Sequence, residues 1–306
     1  MDNLGYCCIN NTLRAQKPSI YSSRGLNRKT FSIQLAAERA LLNIKDLYSI
    51  LQWNDFHNIR VFRIGSEPLP RSGDQHVGYS ICDLPNARQL TSLLSSIGQY
   101  VVDHNHHISF HPGQYVCLGS PSESVRQLGI YALERENEVA DAISSSLDID
   151  IPINIHIGGS YGGEFNATAD RFIKSFNSLS HTLQQRLVVE NDDKQSGWSI
   201  TKLYNHIYSK IGIPLTFDIH HSHFSRESTI SLYDEYLLAK STWGNRSMQI
   251  HYSQSPTPDK IVTKHSDYYR DPIPSWVDDS CHVHLECKAK ELALLDYRKN
   301  FSLIKV

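Results

Sequence analysis

Residues 214–223 (PLTFDIHHSH) place four potential metal ligands directly after a short apolar run. Asp218, His220, His221 and His223 all lie in the second half of this segment. Buried carboxylates and imidazoles cost free energy unless they are paired or bind a metal ion. Taken alone, the segment fits a polar loop in which one histidine satisfies a carboxylate as well as it fits a metal site. The choice depends on whether the same residue types recur at equivalent places in the fold.

Short apolar runs alternate with helical patterns along the chain. The runs predict eight strands, at residues 4–7, 60–64, 107–110, 151–157, 187–189, 215–217, 248–250 and 281–285. Apolar positions at helical spacing predict helices at residues 30–53, 86–102, 122–147, 168–183, 200–210 and 230–240, with a last helix from about residue 288. Strands that alternate with helices in this way are typical of a parallel sheet.

The number of these units and the chain length favour a closed barrel. Eight βα units in 306 residues predict a single α/β domain over residues 1–306, a (β/α)8 TIM barrel. An open doubly wound sheet usually has a glycine-rich turn after its first strand, and residues 7–11 contain no glycine.

Metal-ligand side chains follow one strand after another. In barrels of this type the active site lies at the carboxyl ends of the strands. Six consecutive strand ends carry an imidazole or a carboxylate: His111, His156, Glu190, Asp218, His251 and Glu286. Two further histidines, His221 and His265, follow close behind strands six and seven. We therefore predict a metal centre at this end of the barrel.

The donor set also indicates the kind of metal and the chemistry. A mixture of imidazoles and carboxylates suits zinc, manganese or iron better than magnesium or calcium. Because the donors outnumber those that one ion takes, bridging carboxylates such as Glu190 and Asp218 would hold two or three ions. Sites with several metals suit in-line displacement at phosphorus.

The composition narrows the class of protein further. Hydrophobic residues make up 40% and charged residues 20% of the chain, which is typical of a globular protein. With a net charge of −2, binding of nucleic acid would need a local basic surface or metal ions. The six cysteines form no CxxC pair, the first residues lack a signal-peptide layout, and no apolar run approaches ~18 residues. We expect an intracellular protein, in the cytoplasm or nucleoid, that does not span a membrane.

Nine stretches of the chain resemble motifs of the UV damage endonuclease family. They occur in order along nearly the whole chain: Leu4-Gly5-Tyr6, Phe62-Arg63-Ile64-Gly65-Ser66, His111-Pro112-Gly113-Gln114-Tyr115, Ile155-His156-Ile157-Gly158-Gly159, Glu190-Asn191-Asp192-Asp193, Asp218-Ile219-His220-His221, Ile250-His251-Tyr252-Ser253, His265-Ser266-Asp267-Tyr268 and Leu285-Glu286-Cys287-Lys288-Ala289-Lys290. The family is similar to the endonuclease IV type of abasic-site nuclease, which has the same barrel.

The resemblance implies a metal-dependent repair nuclease. Such an enzyme nicks double-stranded DNA on the 5′ side of UV photoproducts, namely cyclobutane pyrimidine dimers and 6-4 photoproducts, and leaves a 3′-hydroxyl and a 5′-phosphate. It implies three divalent ions, with manganese as the first choice and zinc or magnesium as alternatives, and it implies eight ligands: His111, His156, Glu190, Asp218, His221, His251, His265 and Glu286. We expect catalysis to centre on Glu190, Asp218, His251 and Glu286, in a monomer that needs no protein partner.

Two neighbouring residues are predicted to enter the DNA. By resemblance, Gln114 and Tyr115 push into the duplex at the lesion, where a damaged step is the easiest to deform. The alternative for Tyr115 is packing against a neighbouring loop. The resemblance also places His76 near the site.

Further DNA contacts are predicted around the barrel mouth. Tyr6 and Asn10 are expected to line the same groove, and ordinary core packing is the alternative for Tyr6. Arg71, Lys260 and Lys264 lie in long loops on this face and are candidate phosphate contacts.

The chain departs from the family at one position. The family tends to place a lysine, which can be carboxylated and join the metal shell, two residues before the strand-seven histidine. Here the residue is Gln249, which cannot be carboxylated. Three other functions stay open: a general abasic-site endonuclease, a metal-dependent sugar isomerase or epimerase, and a catalytically inactive DNA-binding protein. The sugar chemistry needs one or two ions and a closed pocket, so eight ligands and the Gln114-Tyr115 pair favour the nuclease.

Overall fold

The computed structural model describes residues 3–145 and 147–301 and confirms the predicted barrel. Eight parallel strands close in chain order: β1 (Leu4–Cys7), β2 (Val61–Ile64), β3 (His107–Phe110), β4 (Ile153–Ile155), β5 (Leu187–Glu190), β6 (Leu215–Asp218), β7 (Gln249–Tyr252) and β8 (His282–Leu285). Strand β1 pairs with β2 on one side and β8 on the other, so the sheet has no open edge. The ends of the predicted domain, at residues 1–2 and 302–306, lie outside the described residues, as does residue 146 of one predicted helix.

Helices follow the strands around the outside of the barrel. They are α1 (Asn11–Arg14), α2 (Ile33–Phe56), α3 (Ala87–Asp103), α4 (Glu123–Ser144), α5 (Phe165–Phe176), α6 (His181–Arg186), α7 (Ile200–Leu203), α8 (Ser209–Ile211), α9 (Ile219–Ser225), α10 (Leu232–Ser241) and α11 (Glu291–Phe301). Short 3-10 turns at Arg28–Thr30 and Ile81–Asp83 lie in the loops. Among the described helices, none has the length and apolar character that crossing a membrane requires.

Two of the predicted helices are interrupted. The segment 168–183 divides into α5 and α6, and Glu134 accepts hydrogen bonds of 2.7 Å from both the backbone N–H and the hydroxyl of Ser180 at the start of α6. The segment 200–210 contains α7 and α8 with a π-helical turn, Tyr204–Tyr208, between them. Both differences lie on the outside of the barrel.

The strand ends differ from the prediction where they matter for the site. Strands β5, β6 and β7 run further than predicted and include Glu190, Asp218 and His251. Strand β4 is shorter at both ends, and it starts after Pro152, which has no N–H and contributes only its carbonyl, an acceptor for Phe110 N at 2.9 Å. The rigid sheet therefore carries three of the predicted ligands directly.

Asp218 joins strand β6 to helix α9 without a loop. Its Oδ1 accepts a hydrogen bond from the backbone N–H of His221 at 2.8 Å, which caps the first turn of the helix. The helix was not predicted, because the segment was interpreted as a strand with a polar tip. The cap fixes the position of His221 relative to Asp218.

The apolar core lies between the strands and the surrounding helices. Its largest fully buried side chains include those of Trp198, Tyr6, Tyr236, Phe62, Phe110, Phe172 and Phe217. Strands β1 and β2 approach closely at Gly5, where an added Cβ would lie 2.1 Å from the carbonyl oxygen of Val61. This position admits only glycine.

The interior of the barrel itself contains an unusual number of polar side chains. Ser109, Asn154, Thr216, Gln249 and His284 are all buried. The hydroxyl of Ser109 on β3 lies 3.5 Å from His284 Nε2 on β8, and these strands are not neighbours, so the contact crosses the interior. Buried polar groups stabilise a fold only when they have partners. Their presence here suggests a role in supporting the side chains above them.

Candidate metal centre

Glu190 on β5 lies in the middle of a ring of imidazoles. Its carboxylate oxygens lie close to four histidine nitrogens: His111 Nε2 at 3.1 Å, His251 Nδ1 at 3.1 Å, His221 Nδ1 at 3.2 Å and His156 Nε2 at 3.8 Å. Asn154, two residues before His156 on β4, also donates a hydrogen bond to the carboxylate. The carboxylate is almost completely buried, so its charge is balanced by these donors rather than by water.

The donors form two overlapping groups with the spacing of metal ligands. His111, His156 and Glu190 make one group, and Glu190, Asp218 and His251 make the other, each with ligand atoms within 4.8 Å of one another. Glu190 belongs to both. A carboxylate shared in this way can bridge two cations.

Glu286 and His265 extend the same cluster. Glu286 Oε1 lies 3.5 Å from His251 Nδ1, and Glu286 Oε2 lies 3.8 Å from His265 Nδ1. Arg63 at the end of β2 forms an ion pair with Glu286. The structure thus brings all eight predicted ligands to one end of the barrel.

The electrostatics of the cluster follow from burial and from the close pairing. Burial raises the pKa of the Glu190 carboxyl, but the imidazoles of His251 and His156 outweigh this and hold that pKa well below its usual range. Burial lowers the pKa of His221, but Asp218 and Glu190 outweigh it and raise that pKa well above its usual value. The pairing therefore favours the ionised carboxylate at Glu190 and the protonated imidazole at His221.

Two buried polar atoms in this cluster lack hydrogen bonds within the described ranges of the chain and could be satisfied by a cation. Burial raises the pKa of Asp218, and no donor among the described residues bonds its buried Oδ2. Likewise, in the part of the chain that the structure describes, the buried Nδ1 of His251 lacks a well-aligned hydrogen bond. Polar atoms left in this state cost free energy, and a bound cation would satisfy both. Nitrogen and oxygen donors of this kind suit a divalent transition metal.

The predicted wedge residues lie beside the centre. Gln114 and Tyr115 are exposed, with 42% of Tyr115 accessible, in the loop that begins with the predicted ligand His111. The phenol of Tyr115 donates a hydrogen bond to Glu67 Oε1 at 3.0 Å, which ties it to the loop after β2. A cleft of about 360 Å³ borders this loop and is lined by residues that include Gln114, His156 and Asp192.

The structure does not place Tyr6 and Asn10 on a surface that DNA can reach. Tyr6 is 0% exposed and Asn10 is 1% exposed. The Tyr6 hydroxyl donates to Asn54 Oδ1 on α2 at 2.7 Å and accepts from Asn10 Nδ2 at 2.9 Å. The alternative of core packing therefore describes Tyr6, and Asn10 caps α1 by accepting from Leu13 N.

The other predicted DNA contacts differ in their availability. Lys260 and Lys264 are exposed in the loop between β7 and β8. His76 is exposed, and its backbone N–H donates to Asp74 Oδ1 at 3.0 Å. Arg71 is partly buried, and its Nε donates to the carbonyl oxygen of Leu26 at 2.8 Å, so it holds two loops together. Lys260, Lys264 and His76 are therefore accessible to a partner, whereas Arg71 serves to hold the loops.

Sequence reasoning missed three residues that shape the centre. They are Arg63, which pairs with Glu286, Asn154, which bonds Glu190, and Asp192, whose Oδ1 lies 3.3 Å from His156 Nδ1. A signal for Asn154 was present, because it stands two residues before His156 and alternate residues of a strand point to the same side. Arg63 likewise occupies the end of its strand.

These features define a (β/α)8 barrel with a histidine–carboxylate centre, suited to divalent cations, at the carboxyl ends of its strands. The family model described as UV-endonuclease UvdE matches residues 2–306, and the chain belongs to this family.

Relatives and a solved structure agree with this assignment. The chain is 29% identical to the UV-damage endonuclease of Schizosaccharomyces pombe over 315 residues, which cover 98% of this chain and 51% of the relative. It is 29% identical to the UV DNA damage endonuclease of Clostridium perfringens over 303 residues, which cover 95% of this chain and 69% of the relative. The chain thus spans about half the length of the S. pombe protein.

Comparison with solved structures distinguishes a similar protein from proteins that share only the barrel fold. The crystal structure of SacUVDE matches with a TM-score of 0.83 and 28% sequence identity, covering 98% of this chain and 97% of that chain. The 3-keto-D-glucoside 4-epimerase YcjR from E. coli matches with a TM-score of 0.53 and 10% identity, covering 98% and 97%. The second likeness shows a shared fold alone.

Proposed function

We propose that this protein is a metal-dependent DNA repair endonuclease that nicks duplex DNA on the 5′ side of UV photoproducts. Membership of the UV-endonuclease UvdE family supports the activity. The observation that carries the proposal is the centre itself, in which Glu190 lies 3.1 to 3.8 Å from four imidazoles, three at the ends of strands β3, β4 and β7 and one on helix α9.

The cofactors in this proposal are three divalent cations, with manganese first and zinc or magnesium as alternatives. The residues that would hold them are His111, His156, Glu190, Asp218, His221, His251, His265 and Glu286. When bound, such ions activate water and stabilise the charge that develops on a phosphodiester and its leaving oxygen.

The chain's own residues set the geometry of this centre. Asp218 uses Oδ1 to cap α9, so only Oδ2 is directed to the cluster, in one fixed orientation. Glu190 reaches both groups of donors from the end of a rigid strand. Arg63 holds Glu286 at the edge of the cluster and places a permanent positive charge there, which would also attract the phosphate of a bound strand. The reaction adds water across the bond between phosphorus and the 3′ oxygen. That oxygen takes up a proton, which leaves a 3′-hydroxyl and a 5′-phosphate.

Recognition of the lesion in this proposal depends on Tyr115 and Gln114. The Tyr115 ring is exposed and its hydroxyl donates to Glu67, so entry of the ring into DNA would exchange this hydrogen bond for contacts with bases. A side chain inserted into a duplex must unstack bases, and a damaged step costs least to unstack. The exposed Lys260 and Lys264 would contact phosphates, because the chain as a whole is not basic.

Strand incision on matched duplexes tests this function. One duplex carries a single photoproduct, one an abasic site and one no damage, and each is incubated with MnCl2 or with EDTA. We expect a nick immediately 5′ of the photoproduct, with a 3′-hydroxyl end, only when manganese is present. The Tyr115→Ala variant serves as a matched control that retains the metal centre and weakens lesion recognition.

Other outcomes would contradict parts of the proposal. Cutting of the abasic duplex alone would identify a general abasic-site endonuclease. Equal cutting with EDTA would show that the histidine–carboxylate cluster is not a catalytic metal centre. Failure to cut any duplex, with manganese bound to the protein, would refute the endonuclease.

A further inference from the structure

The side chain of Gln249 contacts a predicted metal ligand from within the barrel. Its Nε2 lies 3.1 Å from His251 Nε2, and the residue is 0% exposed. The other ring nitrogen, His251 Nδ1, faces Glu190 Oε2 at 3.1 Å and Glu286 Oε1 at 3.5 Å. The imidazole is therefore held between one amide and the two carboxylates of the centre.

The proton on this ring must be on the correct nitrogen for a cation to bind. A neutral imidazole has one N–H and one nitrogen with a free lone pair. In the present contact the Gln249 amide donates to Nε2, so the ring proton is on Nδ1 and faces Glu190. A cation at Nδ1 requires that lone pair, and the proton must then be on Nε2, where it needs an acceptor.

Gln249 can provide that acceptor by a simple rotation. Its Oε1 and Nε2 are attached to the same carbon, so a half-turn of the amide exchanges them. Within residues 3–145 and 147–301, no donor bonds the buried Oε1, so the half-turn breaks no hydrogen bond of that oxygen. It gives a partner to the buried carbonyl oxygen and removes the contact of the amide nitrogen with His251, so the position of the ring proton decides which orientation is favoured.

We propose that Gln249 is a positioning residue for the metal centre, whose amide turns to accept the His251 Nε2 proton when a cation binds at Nδ1. This inference rests on the proposed function, because it assumes a cation at His251. It gives Gln249 a role that requires both a donor and an acceptor on one uncharged side chain. Methionine offers no donor and only a weakly accepting sulfur, glutamate offers an acceptor only, and a protonated lysine offers donors only.

Three substitutions separate these roles. Gln249→Met removes the bond with little change of shape, and we expect cation affinity to fall about 10- to 100-fold, as for the loss of other outer-sphere partners. Gln249→Glu keeps the acceptor and should restore binding to at least the wild-type affinity. Gln249→Lys should bind no more tightly than Gln249→Met, since it holds Nε2 as an acceptor.

A matched control is available on the neighbouring strand. Thr216 stands two residues before Asp218, as Gln249 stands two residues before His251, and Asp218 and His251 are register partners. Thr216 is buried, and its hydroxyl has no partner among the residues that the structure describes. Thr216→Val should therefore leave cation affinity unchanged.

The measurement is calorimetric titration of MnCl2 into chelator-stripped protein, with thermal unfolding of each stripped variant to verify folding. Nitrogen-15 NMR of histidine-labelled protein, titrated with diamagnetic ZnCl2, provides a second readout. One ring should move its proton from Nδ1 to Nε2 in wild type, and in Gln249→Met the same movement should need about 10- to 100-fold more ZnCl2. If Gln249→Met does not fold, the opposite responses of the glutamate and lysine variants decide the matter.

The failures of the two proposals are distinguishable. Wild-type protein that binds no cation would refute the metal centre of the proposed function. Wild-type protein that binds cations, with Gln249→Met equally tight, would refute only the role of Gln249. Tighter binding by Gln249→Lys than by wild type would also refute it, because position 249 would then supply a ligand rather than a hydrogen bond.

Discussion

Replacement of Arg63 by methionine should destabilise the metal-free protein through the carboxylate that it leaves behind. The ion pair of Arg63 with Glu286 is largely buried, with side-chain exposures of 13% and 10%. Removing one partner of such a pair costs about 3–5 kcal/mol, because the other charge stays buried without compensation. With an unfolding entropy of roughly 2.1 cal/mol/K per residue over 306 residues, this loss lowers Tm by about 5–8 °C.

The pKa of Glu286 sets the pH dependence of this loss. Burial raises the pKa of Glu286, but Arg63 and His251 outweigh it and hold that pKa well below its usual range. Without Arg63 the effect of burial is less opposed, so the carboxyl is easier to protonate. In the Arg63→Met variant, a Glu286 carboxyl with a raised pKa is tolerated in its protonated form and becomes unfavourable as pH rises and it ionises. The loss in free energy of unfolding relative to wild type should therefore be larger at pH 8 than at pH 5.

Thermal unfolding in EDTA measures this effect, with two controls. Lys210 pairs with Asp170 at 3.2 Å on the surface, with exposures of 42% and 71%, and Lys210→Met should cost at most about 1 kcal/mol. The double variant Arg63→Met/Glu286→Gln leaves no unpaired charge and should recover most of the lost stability. Equal losses for Arg63→Met and Lys210→Met, or additive losses in the double variant, would refute the reasoning.

Three further outcomes follow from the site. Asp218→Asn should weaken binding of Mn2+ at least about 100-fold, which is more than the loss of an outer-sphere partner would cost. Calorimetric titration measures this affinity, and an unchanged value would exclude Asp218 as a ligand. Tyr115→Ala should lower kcat/KM on the photoproduct duplex about 10- to 100-fold, the equivalent of one lost stacking contact, while Mn2+ affinity stays the same. Burial lowers the pKa of His221, but Asp218 outweighs this and raises it well above its usual value, so the histidine contributes stability below about pH 6.5 that is lost as pH rises. Urea unfolding of chelated wild type should therefore show a stability advantage over His221→Gln that shrinks from pH 6 to pH 9, and a constant difference would contradict this assignment.

The barrel and its donor set were predictable because both depend on local pattern. Short apolar runs between helical segments predicted eight strands, and the first residues after those runs marked the carboxyl ends. Glu190, Asp218 and His251 were found in this way, since a parallel barrel brings consecutive strand ends together. Their mutual distances of a few ångströms come from barrel closure, which no local pattern contains.

Tyr6 and helix α9 show what a local sequence pattern cannot predict. Tyr6 stands in register with Phe62, whereas Cys7 stands in register with Arg63, so adjacent residues of β1 point to opposite sides of the sheet. The side of Tyr6 was therefore decided by strand register, a long-range property. Helix α9 was missed for a different reason, because Asp218 was interpreted as a ligand only and its second role as a helix cap was not considered.

The predicted ligands come from successive parts of the chain between β3 and β8. Cation binding would therefore depend on the whole barrel. Arg63 on β2 adds a contact to Glu286 that passes over β1, so the cluster is also tied to the seam where the sheet closes. No fragment of the barrel contains this set, and the unfolded chain cannot assemble it. Cations that bind only the closed form would stabilise it by mass action. A shortage of divalent metal would then lower the amount of intact protein through proteolytic turnover, so the proposed activity would be lost by degradation as well as by an empty metal centre.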